Sequence, residues 1–388
     1  MKSEWVRMVY KKIMVIGVIS SVLMASGCKD SEVLPVAEAS TATVELRDIS
    51  NHWAKDSVLK ALENGYVDGY EDSTFRPDQN VSRAEFMKML AVATKQQVAT
   101  ASQGSAWYAP YVDYVFNSGI YHAEDFPSDQ FDHNLTRIEM AKLAVRFLDE
   151  KSRPKEAHLY DTSAMYKAVS LGVINGLTGG ELAPNEATTR AQSVVIIERI
   201  LSAKSGKKLP VDKLALGNAD LELTGSNTRV YANTPTLPLP IKYAFNDNID
   251  VTIHKIRMTD LANKEDPLAR KIIDYDSKSS HPLSNYDDLL VVSLYFSIDN
   301  KVSDPITRSI NMYNTLMPII GKGPIGEGTT VYTLNTSKVG KTEGWIMYTE
   351  NKKRNAKFLD GTEPYPLKIF LPGRDIPLTD TKQDAVST

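Results

Sequence analysis

Three arginines stand at equivalent places in the chain, each behind a hydroxyl residue and ahead of a carboxylate or amide. The segments are Ser82-Arg83-Ala84-Glu85, Thr136-Arg137-Ile138-Glu139 and Thr189-Arg190-Ala191-Gln192. A Ser or Thr followed three positions later by Glu or Gln is a capping box: the hydroxyl accepts from the third backbone N–H of a helix, and the acid or amide reaches back to the cap. The box accounts for the outer residues but not for the arginine, because a cation in the first turn opposes the helix dipole. A guanidinium beside free backbone N–H groups could take a carboxylate or a phosphate. Surface solvation is the competing account. Because Ser82 and Glu85 carry the cap, Arg83→Ala is expected to weaken anion binding while it keeps its fold and its stability, or gains slightly in stability.

Other chemistry is thinly represented. The six histidines (52, 122, 133, 158, 254 and 281) make no HExxH spacing, and neither GxSxG nor a phosphate-binding glycine loop occurs. The acidic loop Asp68-Gly69-Tyr70-Glu71-Asp72 lacks the spacing of an EF-hand. The expectation is a protein without catalysis, cofactor or metal. A wall-remodelling hydrolase with a carboxylate pair in the C-terminal part is the alternative from another class. The formal net charge of −3 over 388 residues argues against a general nucleic-acid binder.

The elements that position the arginines form a threefold internal repeat. Trp53, Gly65 and Arg83 match Trp107, Gly119 and Arg137, and then Tyr160, Gly172 and Arg190. Aromatic to glycine is 12 residues each time, glycine to arginine 18, and the period is 54 and then 53. Each copy reads as helix, loop, helix. Val58, Ala61 and Leu62 match Val112, Val115 and Phe116, then Met165, Ala168 and Val169, an i, i+3, i+4 stripe that must be buried. The repeated glycine follows as the left-handed residue ending the first helix.

These repeats resemble S-layer homology domains, whose signature includes an aspartate and tryptophan before the first helix and TRAE at the start of the second. The resemblance covers 47 to about 203. It implies one all-α pseudo-threefold unit, with grooves between neighbouring repeats that bind secondary cell-wall polysaccharide. It further implies a pyruvylated, anionic sugar as ligand and the TRAE arginine as a principal contact. Carried over, the polysaccharide-binding set is Asp48, Trp53, Gly69, Tyr70 and Arg83 in the first repeat, Trp107 and Arg137 in the second, and Gly176 and Arg190 in the third. The second repeat departs at Ser102 and Ala123, and the third at Lys155 and Tyr160, so their grooves are expected to bind less or only to complete the bundle.

At the N-terminus Lys2, Arg7, Lys11 and Lys12 precede an apolar run, Ile13 to Ala25, then Ser26, Gly27 and Cys28. This is the pattern of a secretory signal, and the run is short for a membrane span. Leu23-Met24-Ala25-Ser26-Gly27-Cys28 resembles a bacterial lipobox, with Ala25 where the family prefers leucine. Two readings stand: Cys28, the only cysteine, becomes the lipidated N-terminus and ties the protein to the membrane, or the signal is cleaved nearby.

Beyond the repeats, 204–226 is rich in Ser, Gly, Lys and Pro and reads as a linker. Leu290 to Ile298 alternates apolar and polar residues as a half-buried strand. Further strands are expected at Ile249 to Met258, Thr307 to Tyr313, Thr330 to Leu334, Gly344 to Thr349 and Pro366 to Leu371. Short strands between Gly, Asn, Asp and Pro loops suggest an antiparallel sandwich. The stretch from Glu343 to Tyr348 and the strand end Ile298-Asp299-Asn300 resemble immunoglobulin-like domains of Gram-positive lipoproteins. Trp345 is expected in its core. The expected order is thus a signal peptide 1–27, a lipidated tether 28–46, repeats 47–100, 101–154 and 155–203, the linker 204–226, an all-β immunoglobulin-like sandwich 227–375 and a disordered tail 376–388. The sandwich is expected to serve as a binding or scaffolding module, with a protein partner as one option. The whole is expected to be exported to the cell envelope.

Overall fold

The computed structural model describes residues 46–126, 130–278, 282–302, 310–311, 333–334, 339–371 and 374–380. Cys28 and the expected signal peptide lie outside these residues.

Six helices carry the three repeats: α1 (Lys55–Glu63) and α2 (Arg83–Ala93), α3 (Ala109–Asn117) and α4 (Arg137–Leu148), α5 (Asp161–Ser170) and α6 (Arg190–Lys204). All three capping boxes form, with Ser82, Thr136 and Thr189 as caps and Glu85, Glu139 and Gln192 reaching back. Gly65, Gly119 and Gly172 follow their helices at φ +71°, +69° and +68°, the left-handed conformation that a side chain would strain. The second helix of each repeat packs on the first helix of the next: α2 on α3, α4 on α5, and α6 back on α1. At the axis a ring of backbone hydrogen bonds closes the set. Val81 N–H donates to Thr188 (2.9 Å), Thr188 N–H to Leu135 (2.8 Å), and Leu135 N–H to Val81 (2.9 Å). One continuous apolar core runs through all three repeats, including Phe75, Phe86, Leu143, Val169 and Ile197.

The stretch read as a linker is corrected by the structure. It holds α7 (Lys213–Thr224), capped by Asp212 and ended by Gly225 in the left-handed conformation. This helix packs against α5, and its Leu214, Ala215 and Ala219 are buried. The described residues from Leu46 onward form one compact unit rather than two lobes on a free connection.

After the short α8 (Thr228–Ala232) comes an antiparallel β region. Strands β1 (Ile241–Asn246), β2 (Ile249–Asp260), β3 (Leu289–Asn300) and β6 (Gly340–Asn351) make one sheet in the order β1-β2-β3-β6. The pairs β4 (Ile310–Asn311) with β5 (Thr333–Leu334), and β7 (Lys368–Leu371) with β8 (Arg374–Pro377), make two small ribbons. The inner face of the sheet buries Val251, Ile256, Leu294, Phe296 and Ile298 against Tyr231, Phe358 and Tyr365. On the outer face α9 (Pro267–Asp276) covers Val291.

Two expectations fail here. Trp345 is not core: it pairs with Tyr295 across the sheet (ring centroids 5.1 Å apart), lies on the outer face and is 37% exposed. Alternation fixes that a strand has two faces, not which one turns inward. The tail, expected to be disordered from 376, belongs to the fold as far as Asp380. Leu378 is buried, Thr379 Oγ1 donates to the Tyr365 carbonyl (2.6 Å), and Asp380 N–H donates to Pro235 (2.9 Å).

Candidate functional site

The three arginines turn inward and bind protein. Arg83 Nη1 donates to the Gln130 carbonyl (3.1 Å), and its Nε and Nη2 face the Glu139 carboxylate at 3.2 and 2.7 Å. Its guanidinium also lies over the Phe126 ring. Arg137 donates to the carbonyls of Leu182 (2.9 Å) and Asn175 (2.8 Å), and burial draws it below its ordinary pKa. Arg190 donates to Phe75 (3.0 Å) and Asp68 (3.0 Å) and lies over the rings of Phe75 and Tyr70. Each arginine therefore clamps the loop of the next repeat, first to second, second to third and third to first. Arg83 and Arg137 are each only 4% exposed, while Arg190 is half-buried. In all three copies the guanidinium satisfies backbone carbonyls of the neighbouring loop and so holds that loop in place.

Asp48 is likewise committed: its two oxygens accept from the backbone N–H of Phe75 (2.8 Å) and Arg76 (2.7 Å) and fix the first loop. Tyr70 lies under the Arg76 guanidinium, 3.7 Å from the ring centroid. A Cβ on Gly69 would come within 2.9 Å of the end of the Leu46 side chain, which would have to shift. Gly176 would meet the Gly180 backbone at 2.7 Å and Ala215 of α7 at 3.0 Å, so it is a packing position in the third repeat.

The aromatic residues behave differently. Trp53 is 66% exposed, Trp107 49% and Tyr160 71%. A core role would bury them, yet all three copies hold a large ring in solvent just ahead of the first helix. The fold does not bring the three together, because each heads its own repeat.

At one of them a groove has formed. Between the second and third repeats, about 490 Å³ is lined by His122, Glu124 and Asp125 from one loop, by Lys142 and Arg146 of α4, and by Lys155 and His158 to Thr162 leading into α5. Three cations thus face three carboxylates, Glu124, Asp125 and Asp161. Arg146 pairs with Asp125 in a buried ion pair, and Lys142 bonds Asp161 (2.7 Å). The Arg146 Nε is buried with no hydrogen-bond partner among the described residues. Glu124 is held below the usual carboxylate range, first by its own backbone amide and then by His122, Lys155 and Arg146. His158 stacks on Tyr160 at 6.3 Å. Such a groove offers an aromatic platform beside exchangeable ion pairs, which suits a polar, acidic, ring-shaped ligand.

Comparison with known families bears on this architecture. The S-layer homology domain model matches residues 45–87 and 155–192. The chain carries S-layer homology domains and is related to S-layer proteins. It is 24% identical over 312 residues to the S-layer protein sap of Bacillus anthracis, covering 76% of this chain and 34% of that one. It is 28% identical over 179 residues to the exoglucanase XynX of Acetivibrio thermocellus, covering 41% of this chain and 16% of that one. An amylopullulanase of Thermoanaerobacterium thermosulfurigenes is 28% identical over 178 residues, again 41% of this chain and 10% of that one. The chain therefore spans about a third or less of the length of these curated relatives.

The family model does not reach the second S-layer homology repeat, yet that repeat has the same helices, cap and clamp as its neighbours. It also supplies most of the cations in the groove. Lys142, Arg146 and Asp125 were not singled out from the sequence. The available signal was Arg146, a cation where the first repeat has Val92 on the corresponding helix face.

Proposed function

We propose that this is a non-enzymatic cell-envelope protein whose S-layer homology repeats hold anionic, pyruvylated secondary cell-wall polysaccharide. The observation that carries the reading is the groove between the second and third repeats, where exposed Tyr160 stands beside Lys142, Arg146 and Lys155. A sugar ring would stack on Tyr160 while its acidic substituent displaces a carboxylate from one of the cations. In this account the TRAE arginines shape the grooves by fixing the loops, and the contacts are made by Trp107, Tyr160 and the groove cations. The relation to S-layer proteins supports a place at the cell surface.

The reading includes a lipid anchor on Cys28, supported by the sequence pattern alone. For the β region it takes a display or scaffolding role, and its antiparallel four-stranded sheet supports an immunoglobulin-like origin. The test is sedimentation of the protein with purified cell-wall sacculi, before and after chemical removal of pyruvyl groups. Binding that requires the pyruvyl groups supports the reading, and equal binding to both preparations refutes it.

A further inference from the structure

The threefold repeat implies three equivalent grooves, and the third one, between the last repeat and the first, has part of the chain lying on its third-repeat wall. Ala123, in the loop whose His122, Glu124 and Asp125 line the groove between the second and third repeats, corresponds to Gly176 here, and Arg146 corresponds to Arg199. Asp212 reaches Gly176. Its Oδ2 accepts from the Gly176 backbone N–H (3.1 Å), and its charge acts on Arg199, whose guanidinium burial otherwise draws below its ordinary pKa. In the neighbouring groove Arg146 takes Asp125 as partner. The residue corresponding to Asp125 here is Thr178, which carries no charge, so the carboxylate comes from outside the repeats.

The rest of the segment is fitted to the same surface. A Cβ on Gly172 would come within 2.7 Å of the Pro210 carbonyl, and one on Gly180 within 2.5 Å of Leu214. Asn218 Nδ2 donates to the Gly180 carbonyl (2.8 Å). Glycines at 172, 176 and 180 thus leave room for 209–218 to lie close against the third repeat, and Asp212 Oδ1 at the same time caps α7 through Ala215 N–H (3.0 Å).

We propose that residues 209–218 occupy the third groove as an internal ligand, with the Asp212 carboxylate standing where an acidic sugar group would bind. The helical unit then offers wall polymer two grooves rather than three, and the third serves to dock α7 and the β region. This rests on the polysaccharide reading for the ligand class, while the occupancy itself rests on geometry alone.

The test uses the full chain, with a pyruvylated N-acetylhexosamine glycoside as probe for calorimetry and amide hydrogen exchange as a ligand-independent readout. Arg199→Ala is expected to bind the glycoside with the stoichiometry and affinity of the parent. The Gly176 amide is expected to exchange slowly in the parent and at least tenfold faster in Asp212→Ala. Asp212→Asn keeps both a cap and an acceptor, so it should retain slow exchange and serves as the folded control. Loss of one binding equivalent in Arg199→Ala, or Gly176 exchanging in the parent as an unprotected amide, would overturn the proposal. If neither the parent nor any variant binds glycoside, the polysaccharide reading fails separately and the exchange rates alone decide the occupancy.

Discussion

Arg83 and Glu139 form a buried ion pair, Nη2 to Oε1 2.7 Å, between the opening turns of helices in successive repeats. Glu139 also closes its own capping box by accepting from Thr136 N–H (3.0 Å). Removing the guanidinium would leave that carboxylate buried and short of its partner, at a cost of about 3–5 kcal/mol. Arg83→Ala should therefore lower the urea midpoint substantially, whereas an arginine used only for ligand binding would leave it unchanged. This reverses the expectation that the variant keeps its stability. Arg83→Lys should recover only part of the loss, because an ammonium cannot reproduce the paired Nε and Nη2 contact with both Glu139 oxygens.

Thr188 makes the opposite prediction. It stands on the pseudo-threefold axis where the other repeats have Val81 and Leu135, it is fully buried, and its Oγ1 has no hydrogen-bond partner among the described residues. Thr188→Val should stabilise the helical unit by about 1–3 kcal/mol, the cost of an unsatisfied buried hydroxyl. A lower melting temperature in this variant would mean that the hydroxyl has a partner, such as a trapped water.

The β region carries a pH-dependent element. Glu350 is buried between Asn355 and Tyr365, and burial pushes its carboxyl up to about 7. A carboxyl raised in the folded state holds its proton more tightly folded than unfolded. Its contribution to stability is therefore present below the unfolded value near 4.5 and is lost as pH rises through about 7. At about 1.4 kcal/mol per unit, the loss is on the order of 3 kcal/mol. Glu350→Gln should flatten the stability profile between these limits, as measured by urea unfolding at a series of pH values. An unchanged profile would assign the dependence to other groups.

Much of this organisation was legible in the sequence, because a repeat with constant internal spacings encodes its own alignment. The caps at Ser82, Thr136 and Thr189 and the left-handed glycines follow from local chemistry, and they form as that chemistry requires. The strand from Leu290 to Ile298 lies inside β3, as its alternation indicates. The role of the arginines was not legible. Their partners come from distant residues, Gln130 for Arg83 and Phe75 for Arg190, and only the closed threefold ring brings them within reach. Helix α7 was hidden for a different reason. Its buried face uses small residues, Ala215, Gly217 and Ala219, with Gly217 against the Tyr231 ring, and its surroundings have loop composition. The groove cations were missed because Lys142 and Arg146 do not recur in all three copies.

Tyr160 should act as a platform without supporting the fold. With 71% of its surface exposed, Tyr160→Ala should leave the melting temperature unchanged. Wall binding should weaken by about 1 kcal/mol or more, roughly fivefold, as for truncation of an aromatic anchor. Full binding by the variant in a sedimentation assay would move the contact to Trp107.

The central claim is that the groove between the second and third repeats holds an acidic wall sugar. The most direct measurement is sedimentation of the double variant Tyr160→Ala, Lys155→Glu with pyruvylated sacculi, beside the parent and a thermal melt of each. The account predicts parent-like melting and binding weakened by about tenfold or more, since the platform is lost and a groove cation becomes an anion. Parent-level binding by a variant that melts like the parent would contradict it.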